Sequence, residues 1–155
     1  MDKVEAGEQM HYQDSLVQKI KSKHAHVGIV GLGYVGMPLA LRFVEAGFKV
    51  TGFDIDESKV QTLNAGHSYI AQISSQRVAS AINVHFSASL DFSLAGEMDA
   101  IVICVPTPLG RHREPDVSFI ENTVREIAPY LRAGQALSLE STTYPGTTEE
   151  IIVPA

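Results

Sequence analysis

The sequence predicts an α/β fold, a doubly wound parallel sheet in a single domain, and three observations predict it. Short apolar runs bounded by glycine, proline or polar residues recur along the chain, and segments with apolar residues at helical spacing lie between them. One run, from Ala100 to Val105, is apolar throughout, the mark of a strand buried on both faces. Strands and helices alternating in this way call for right-handed crossovers and a sheet covered on both sides, with ligand chemistry at the carboxyl ends of the strands.

The elements follow in order. Residues 1–25 are polar, carry Lys19, Lys21 and Lys23, and place Leu16, Val17 and Ile20 at helical spacing. They are expected to form an arm with a short amphipathic helix on the domain or on a partner, frayed before Tyr12. From His26 the domain begins. Val27, Ile29 and Val30 form a strand that breaks into glycines, and Pro38 to Ala46 forms a helix stopped by Gly47. Phe48 to Phe53 is the second strand, and Asp56 to Ala65 a helix that Asp56 caps and that ends near Gly66. Ser68 to Ser80 reads ambiguously, with a short helix around Gln76. Asn83 to Phe86 reads as a brief strand and Ser89 to Ala95 as a helical turn or two. Asp99 to Val105 is the apolar strand, stopped by Pro106, which cannot donate into a ladder. Asp116 to Leu131 is a helix with Val117, Ile120, Val124, Ile127 and Leu131 on one face, and Leu137 to Leu139 a further strand. A last helix begins near Thr147 and is cut short by the chain end. The expected division is thus an arm, 1–25, and a single α/β domain, 26–155.

Composition narrows the class. The chain has 155 residues, 45% of them hydrophobic and 19% charged, and a formal net charge of −6. A chain this long buries roughly two-thirds of its unfolded surface, which suits one core. The acidic balance argues against nucleic acid and anionic membrane as partners, since both need a strongly basic face. The single Cys104 excludes an intramolecular disulfide and fits a reducing compartment. No stretch approaches the roughly 18 to 20 apolar residues of a membrane span, and the N-terminal residues lack the apolar core of a secretory signal. A cytoplasmic location is expected.

Gly31-Leu32-Gly33-Tyr34-Val35-Gly36 matches G-x-G-x-x-G. The hexapeptide alone is weak; its place between an apolar strand and a helix, with Asp54 ending the next strand 18 residues beyond Gly36, makes it a dinucleotide site. Gly31 permits the tight turn, Gly33 lets backbone approach a pyrophosphate, and Gly36 lets the helix pack against the strand. The helix N-terminus offers unpaired N–H groups to phosphate. Asp54 suits the two adenosine-ribose hydroxyls and repels a 2′-phosphate, which selects NAD over NADP. Lys59, on the following helix, is placed to reach the same ribose or to lie in solvent.

Two further strand ends carry hydroxyls. Val105-Pro106-Thr107-Pro108 is a rigid turn that presents Thr107 toward a cofactor, or simply ends a strand. Glu140 to Gly146 places Ser141, Thr142 and Thr143 at the mouth of the sheet, suited to a nicotinamide ribose or a substrate oxygen, and equally to ordinary turn chemistry.

These segments together, Gly31 to Ala40, Gly52 to Asp56, Val105 to Pro108, Arg113 to Asp116 and Glu140 to Glu149, resemble the N-terminal domain of the UDP-glucose/GDP-mannose dehydrogenase family, and within it the bacterial UDP-N-acetylglucosamine 6-dehydrogenase branch. The resemblance runs from about His26 to the last residue. It implies a Rossmann-type domain, truncated relative to the family, and a role in oxidising the C6 alcohol of a nucleotide sugar to a carboxylate in two NAD-dependent steps for surface polysaccharide. It also implies that Tyr34 and Val35 contact the pyrophosphate through backbone N–H groups, that Asp54 and Lys59 meet the adenosine ribose, and that Thr107 contacts the cofactor. Ser141 would assist cofactor binding, and Thr142, near the nicotinamide, would be a catalytic accessory.

Family members carry their covalent cysteine, with a lysine and an asparagine, in a second half, and dimerise through elements beyond this domain. This chain has no lysine after Lys59, and Cys104 sits in a buried apolar strand where an inert thiol is expected. The chain alone is therefore expected to be inactive, and homo-oligomeric only in a full-length protein. The alternative is a non-catalytic NAD-binding or interaction remnant of a truncated gene. The histidines, including His24 and His26, have no ligand companions at metal spacing, so no metal site is expected. Arg111-His112-Arg113-Glu114 is a charged loop, solvated or else in contact with a nucleotide sugar or a neighbouring subunit.

Overall fold

The computed structural model describes residues 3–109 and 115–154. Strands β1 (His26–Val30), β2 (Lys49–Phe53), β3 (Phe86–Ser89), β4 (Ala100–Ile103) and β5 (Ala136–Leu139) form one sheet in the order β3-β2-β1-β4-β5. Every pairing is parallel, with Val27 opposite Val50 on one side and Ala100 on the other. This is the Rossmann order, with its switch point between β1 and β4, where successive connections diverge to opposite sides of the sheet.

Alternation along the strands builds two cores. Val27 and Ile29 of β1 and Val102 of β4 face helices α2 (Gly36–Glu45), α3 (Glu57–Asn64) and α4 (Ser75–Ile82), packing with Leu41, Leu63 and Val78. Val30, Ile101 and Ile103 face the other way, with Phe53, Met98 and the Ile120, Val124 and Ile127 stripe of α5 (Ser118–Ile127). Asp56 caps α3 through the amides of Ser58 and Lys59, as its position in the sequence implies.

The element boundaries depart from expectation in physically readable places. The third strand is Phe86–Ser89 rather than Asn83 to Phe86; Asn83, Val84 and His85 form the turn before it, and Val84 is exposed. The β2 ladder selects this register, pairing Val50 with Phe86 and Phe53 with Ser89. The helical turn expected from Ser89 is a 3₁₀ helix, Phe92–Glu97, capped by Asp91. The helix expected to reach Leu131 ends at Ile127 and continues as a 3₁₀ turn, Ala128–Tyr130, with a proline inside it. A π-helical turn spans Thr148–Ile152.

The arm differs most. Helix α1 runs Lys3–Lys21, longer than the short helix expected, and is continuous through the stretch expected to fray. Val17 and Ile20 remain exposed, while Leu16 is half-buried and the Tyr12 ring lies against Gly134. A polar contact fixes its last turn: Lys19 Nζ lies 2.6 Å from Asp99 Oδ1. Asp99 also accepts from the His26 amide at 3.0 Å and from Arg132 at 3.2 Å, so one buried carboxylate joins α1, the start of β1 and the approach to β5. Burial pushes this carboxyl upward, but the Lys19, His26 and Arg132 bonds outweigh it and hold it below the usual carboxylate range. No described helix is long and apolar enough to cross a membrane.

A candidate cofactor site across the strand ends

The glycine turn leaves β1 at the switch point. Gly31 adopts φ +91°, and a Cβ there would lie 2.8 Å from the Cys104 carbonyl oxygen, so the turn lies directly on the backbone leaving β4. Gly36 opens α2 against the Gly31 carbonyl, with no room for a side chain. Gly33 is different: its φ is ordinary and a Cβ would meet nothing within 4 Å. Tyr34 and Val35 are exposed, and Val35, the residue preceding α2, provides no side-chain cap. Among the described residues, the amides of Gly33, Tyr34, Val35 and Gly36 have no acceptor.

Asp54 is buried at the end of β2. Its Oδ2 accepts from the Leu32 amide at 2.9 Å and its Oδ1 from the Asp56 amide at 3.0 Å. Lys59 Nζ stands 3.4 and 3.5 Å from the two carboxylate oxygens, within ion-pair range and at the long limit of hydrogen bonding. Each oxygen of Asp54 keeps acceptor capacity beyond its backbone bond.

The other strand ends join through backbone. Ser141 Oγ donates to the Val105 carbonyl at 2.7 Å, tying the end of β5 to the end of β4. Thr107 is half-buried and Thr142 exposed, and neither hydroxyl bonds a described atom. A line of direct contacts therefore runs across the strand ends, from Lys59 and Asp54 through Leu32 and Gly31 to Cys104, Val105 and Ser141. Cys104 is buried, and burial together with the Glu140 carboxylate pushes its thiol up to about 11. The Arg111 to Glu114 loop lies outside the described residues. Among the described residues no three histidine, cysteine or acidic side chains gather as a metal would require.

One residue of the site carries no motif signal. Tyr69, in the stretch that reads ambiguously, donates its phenolic O–H to the Leu32 carbonyl. The chain separation of 37 residues hides the pair from any local reading.

The strand order and the glycine turn define a dinucleotide-binding domain. Residues 25–155 match the profile of the UDP-glucose/GDP-mannose dehydrogenase family, NAD binding domain. The chain belongs to that family, as its NAD-binding domain. It is 36% identical over 128 residues to the UDP-N-acetyl-D-mannosamine dehydrogenase of Escherichia coli K12, covering 82% of this chain and 30% of that protein. It is 33% identical over 132 residues to the UDP-N-acetyl-D-glucosamine 6-dehydrogenase of Pseudomonas aeruginosa, covering 85% and 31%. Among solved structures, a GDP-mannose dehydrogenase ternary complex from Pseudomonas aeruginosa superposes with a TM-score of 0.78 at 29% identity, over 83% of this chain and 31% of that one. The chain thus spans about 30% of the length of the relatives it matches.

Proposed function

We propose that this chain is the NAD-binding portion of a nucleotide-sugar 6-dehydrogenase that converts UDP-N-acetylglucosamine or a related UDP-sugar to the uronic acid for surface polysaccharide. Converting a C6 alcohol to a carboxylate removes two hydrides and adds one oxygen from water. Bound NAD supplies the hydride acceptor. A cytoplasmic setting suits a reduced Cys104 with no partner thiol in the sequence.

The observation that carries this reading is the line of contacts from Asp54 to Ser141, which follows the carboxyl ends of four adjacent strands. The local chemistry fits a dinucleotide. Open space at Gly33 leaves backbone accessible, and the unpartnered amides of Tyr34 and Val35 suit the pyrophosphate. The spare acceptor capacity of Asp54 suits the adenosine-ribose hydroxyls, with Lys59 able to move between that carboxylate and the ribose. Thr107 is assigned to cofactor contact. Ser141 spends its proton on Val105, so toward a ligand it acts as an acceptor. Thr142 has both proton and lone pairs free, which suits an accessory hydrogen bond to the reacting oxygen or the hydrolytic water. Cys104 is too buried and too basic to serve as the covalent nucleophile, so that step is assigned outside these residues, and the chain by itself binds cofactor without turnover.

Calorimetric titration tests the reading. The chain is expected to bind NAD, with NADP at least tenfold weaker. A chain shown folded by circular dichroism that binds neither at millimolar concentration would refute it.

A further inference from the structure

The glycine turn is held at two successive peptides, and only one of the two grips comes from a motif residue. The Gly31–Leu32 peptide is held by Asp54, which accepts the Leu32 N–H. The Leu32–Gly33 peptide is held from its other side by Tyr69, whose phenol donates to the Leu32 carbonyl. That carbonyl and the Gly33 N–H belong to one planar trans unit and point in opposite directions, so fixing one fixes the other. The turn needs such a hold. The Met37 amide holds the Gly33 carbonyl at 3.1 Å and the Leu32 side chain is buried, but with open space around Gly33 and glycine's wide conformational range, the Tyr69 bond is the one described hydrogen bond made to the Leu32–Gly33 peptide itself.

The loop that carries Tyr69 is built to place it. Gly66 ends the α3 connection at φ +77°. The Ser68 amide donates to Ser75 Oγ at 3.0 Å, and the Ile70 amide to Ser68 Oγ at 3.1 Å, closing the loop on itself. Ile70 and Ile73 are buried in the core under α2, which anchors the loop while Tyr69 between them and the turn remains partly exposed. The group facing the phenol is acidic: Asp54 and Asp56 lie near enough to act on it. Burial first, and then these two carboxylates, raise the phenol above its ordinary value, so it stays a donor throughout the physiological range.

We infer that Tyr69 is a positioning residue for the cofactor: by gripping the Leu32 carbonyl it aims the Gly33 amide away from the protein, where a pyrophosphate oxygen can accept it. The inference rests on the dinucleotide reading above. In free energy the role is one of preorganisation, since a peptide that rotates freely must be ordered again when ligand binds.

Tyr69→Phe removes the hydroxyl and keeps the ring. In the ¹⁵N-labelled 155-residue chain the variant is expected to shift the Gly33 amide resonance and speed its hydrogen exchange in the absence of ligand, and to raise the Kd for NAD about tenfold, which corresponds to about 1.4 kcal/mol. Resonances of the sheet are expected to stay in place. A variant that binds NAD within twofold of wild type overturns the inference. So does a weakened Kd with an unmoved Gly33 amide, because the effect then does not pass through the turn. If the wild-type chain itself binds no NAD, the dinucleotide reading fails instead, and the Gly33 amide in the two free proteins still decides whether Tyr69 sets that peptide.

Discussion

The Cβ that Gly36 lacks would lie 1.8 Å from the carbonyl oxygen of Gly31, far inside any van der Waals contact. The third glycine of the turn is therefore fixed by packing of the chain on itself. Gly36→Ala must push α2 off the end of β1, and α2 carries the buried Met37, Ala40 and Leu41. A loss of about 1 to 3 kcal/mol in urea unfolding is expected, at the upper end because the obstacle is backbone and not a flexible side chain. Gly33→Ala, which meets nothing, is expected to leave stability within about 0.5 kcal/mol and to reduce NAD affinity. If both variants unfold alike, the two glycines do not have separate roles.

Asp54 is expected to show its dual use on substitution. Both of its oxygens accept backbone N–H groups. Asp54→Asn must turn an NH₂ toward one of those donors, leaving a buried amide unpaired at a cost of about 1 to 3 kcal/mol. The same change removes the negative charge that disfavours a 2′-phosphate. Parallel titrations with NAD and NADP are expected to show NAD binding weakened and the preference between the two cofactors narrowed. A preference that stays put would remove Asp54 from the ribose.

The turn was legible from the sequence because its parts are local or lie at a fixed spacing: three glycines in six residues, and an acid at the end of the next strand. Strand positions were legible where both faces are buried, as in β4, and failed at β3. There Phe86-Ser87-Ala88-Ser89 has little apolar character, and pairing with β2 decides the register. Asp99 and Tyr69 gave no signal. Each acts through partners far along the chain, Lys19 being 80 residues from Asp99, and a lone aspartate or tyrosine in a loop has no local pattern to read. The contacts of α1 gave no signal for the same reason, since Lys19 pairs with Asp99 and Tyr12 meets Gly134, both far along the chain.

That ion pair predicts a pH dependence. The Asp99 carboxyl is depressed in the folded chain, so its contribution is complete above the unfolded value near 3.9 and is lost as pH falls through the lower folded value. Lys19 is substantially exposed, so the pair with Asp99 is worth about 1 kcal/mol at most. Lys19→Met is expected to lower stability by up to that amount at pH 7 and to flatten the acid limb of the stability profile. Urea unfolding from pH 7 down to pH 3 for both proteins measures it. Profiles that remain parallel would show that Lys19 does not set the Asp99 carboxyl.

His26 predicts a second, higher window. Its ring is half-buried with Nε2 2.9 Å from Thr51 Oγ1, and desolvation, then Lys49, lower its value, against the opposing pull of Glu97 and Asp99. The folded chain thus prefers the neutral ring. Stability from this group is complete above the unfolded value near 6.5 and falls as pH drops below it, levelling off beneath the folded value. His26→Gln keeps a polar partner for Thr51 and cannot titrate, so the variant is expected to lose the slope that sets in as pH falls below about 6.5 while retaining the Asp99 limb. An unchanged slope would assign it to another histidine.

Cys104 predicts a thiol that is slow to react and dispensable for cofactor binding. Its side chain lies at the end of β4, beneath the backbone on which Gly31 rests, and its thiol is raised to about 11 by burial and by Glu140. At pH 8 the thiolate fraction is then roughly a thousandth, and access is blocked as well. A thiol reagent at pH 8 is expected to modify the folded chain orders of magnitude more slowly than the chain in urea, with NAD slowing it further because the cofactor would cover the same strand end. Cys104→Ala is expected to bind NAD within about threefold of wild type, since Cys104 is buried in the core on the α2 side of the sheet. Rapid labelling of the folded protein, or loss of NAD binding in Cys104→Ala, would show instead that the thiol is open to the site, and would return this residue to the candidates for chemistry.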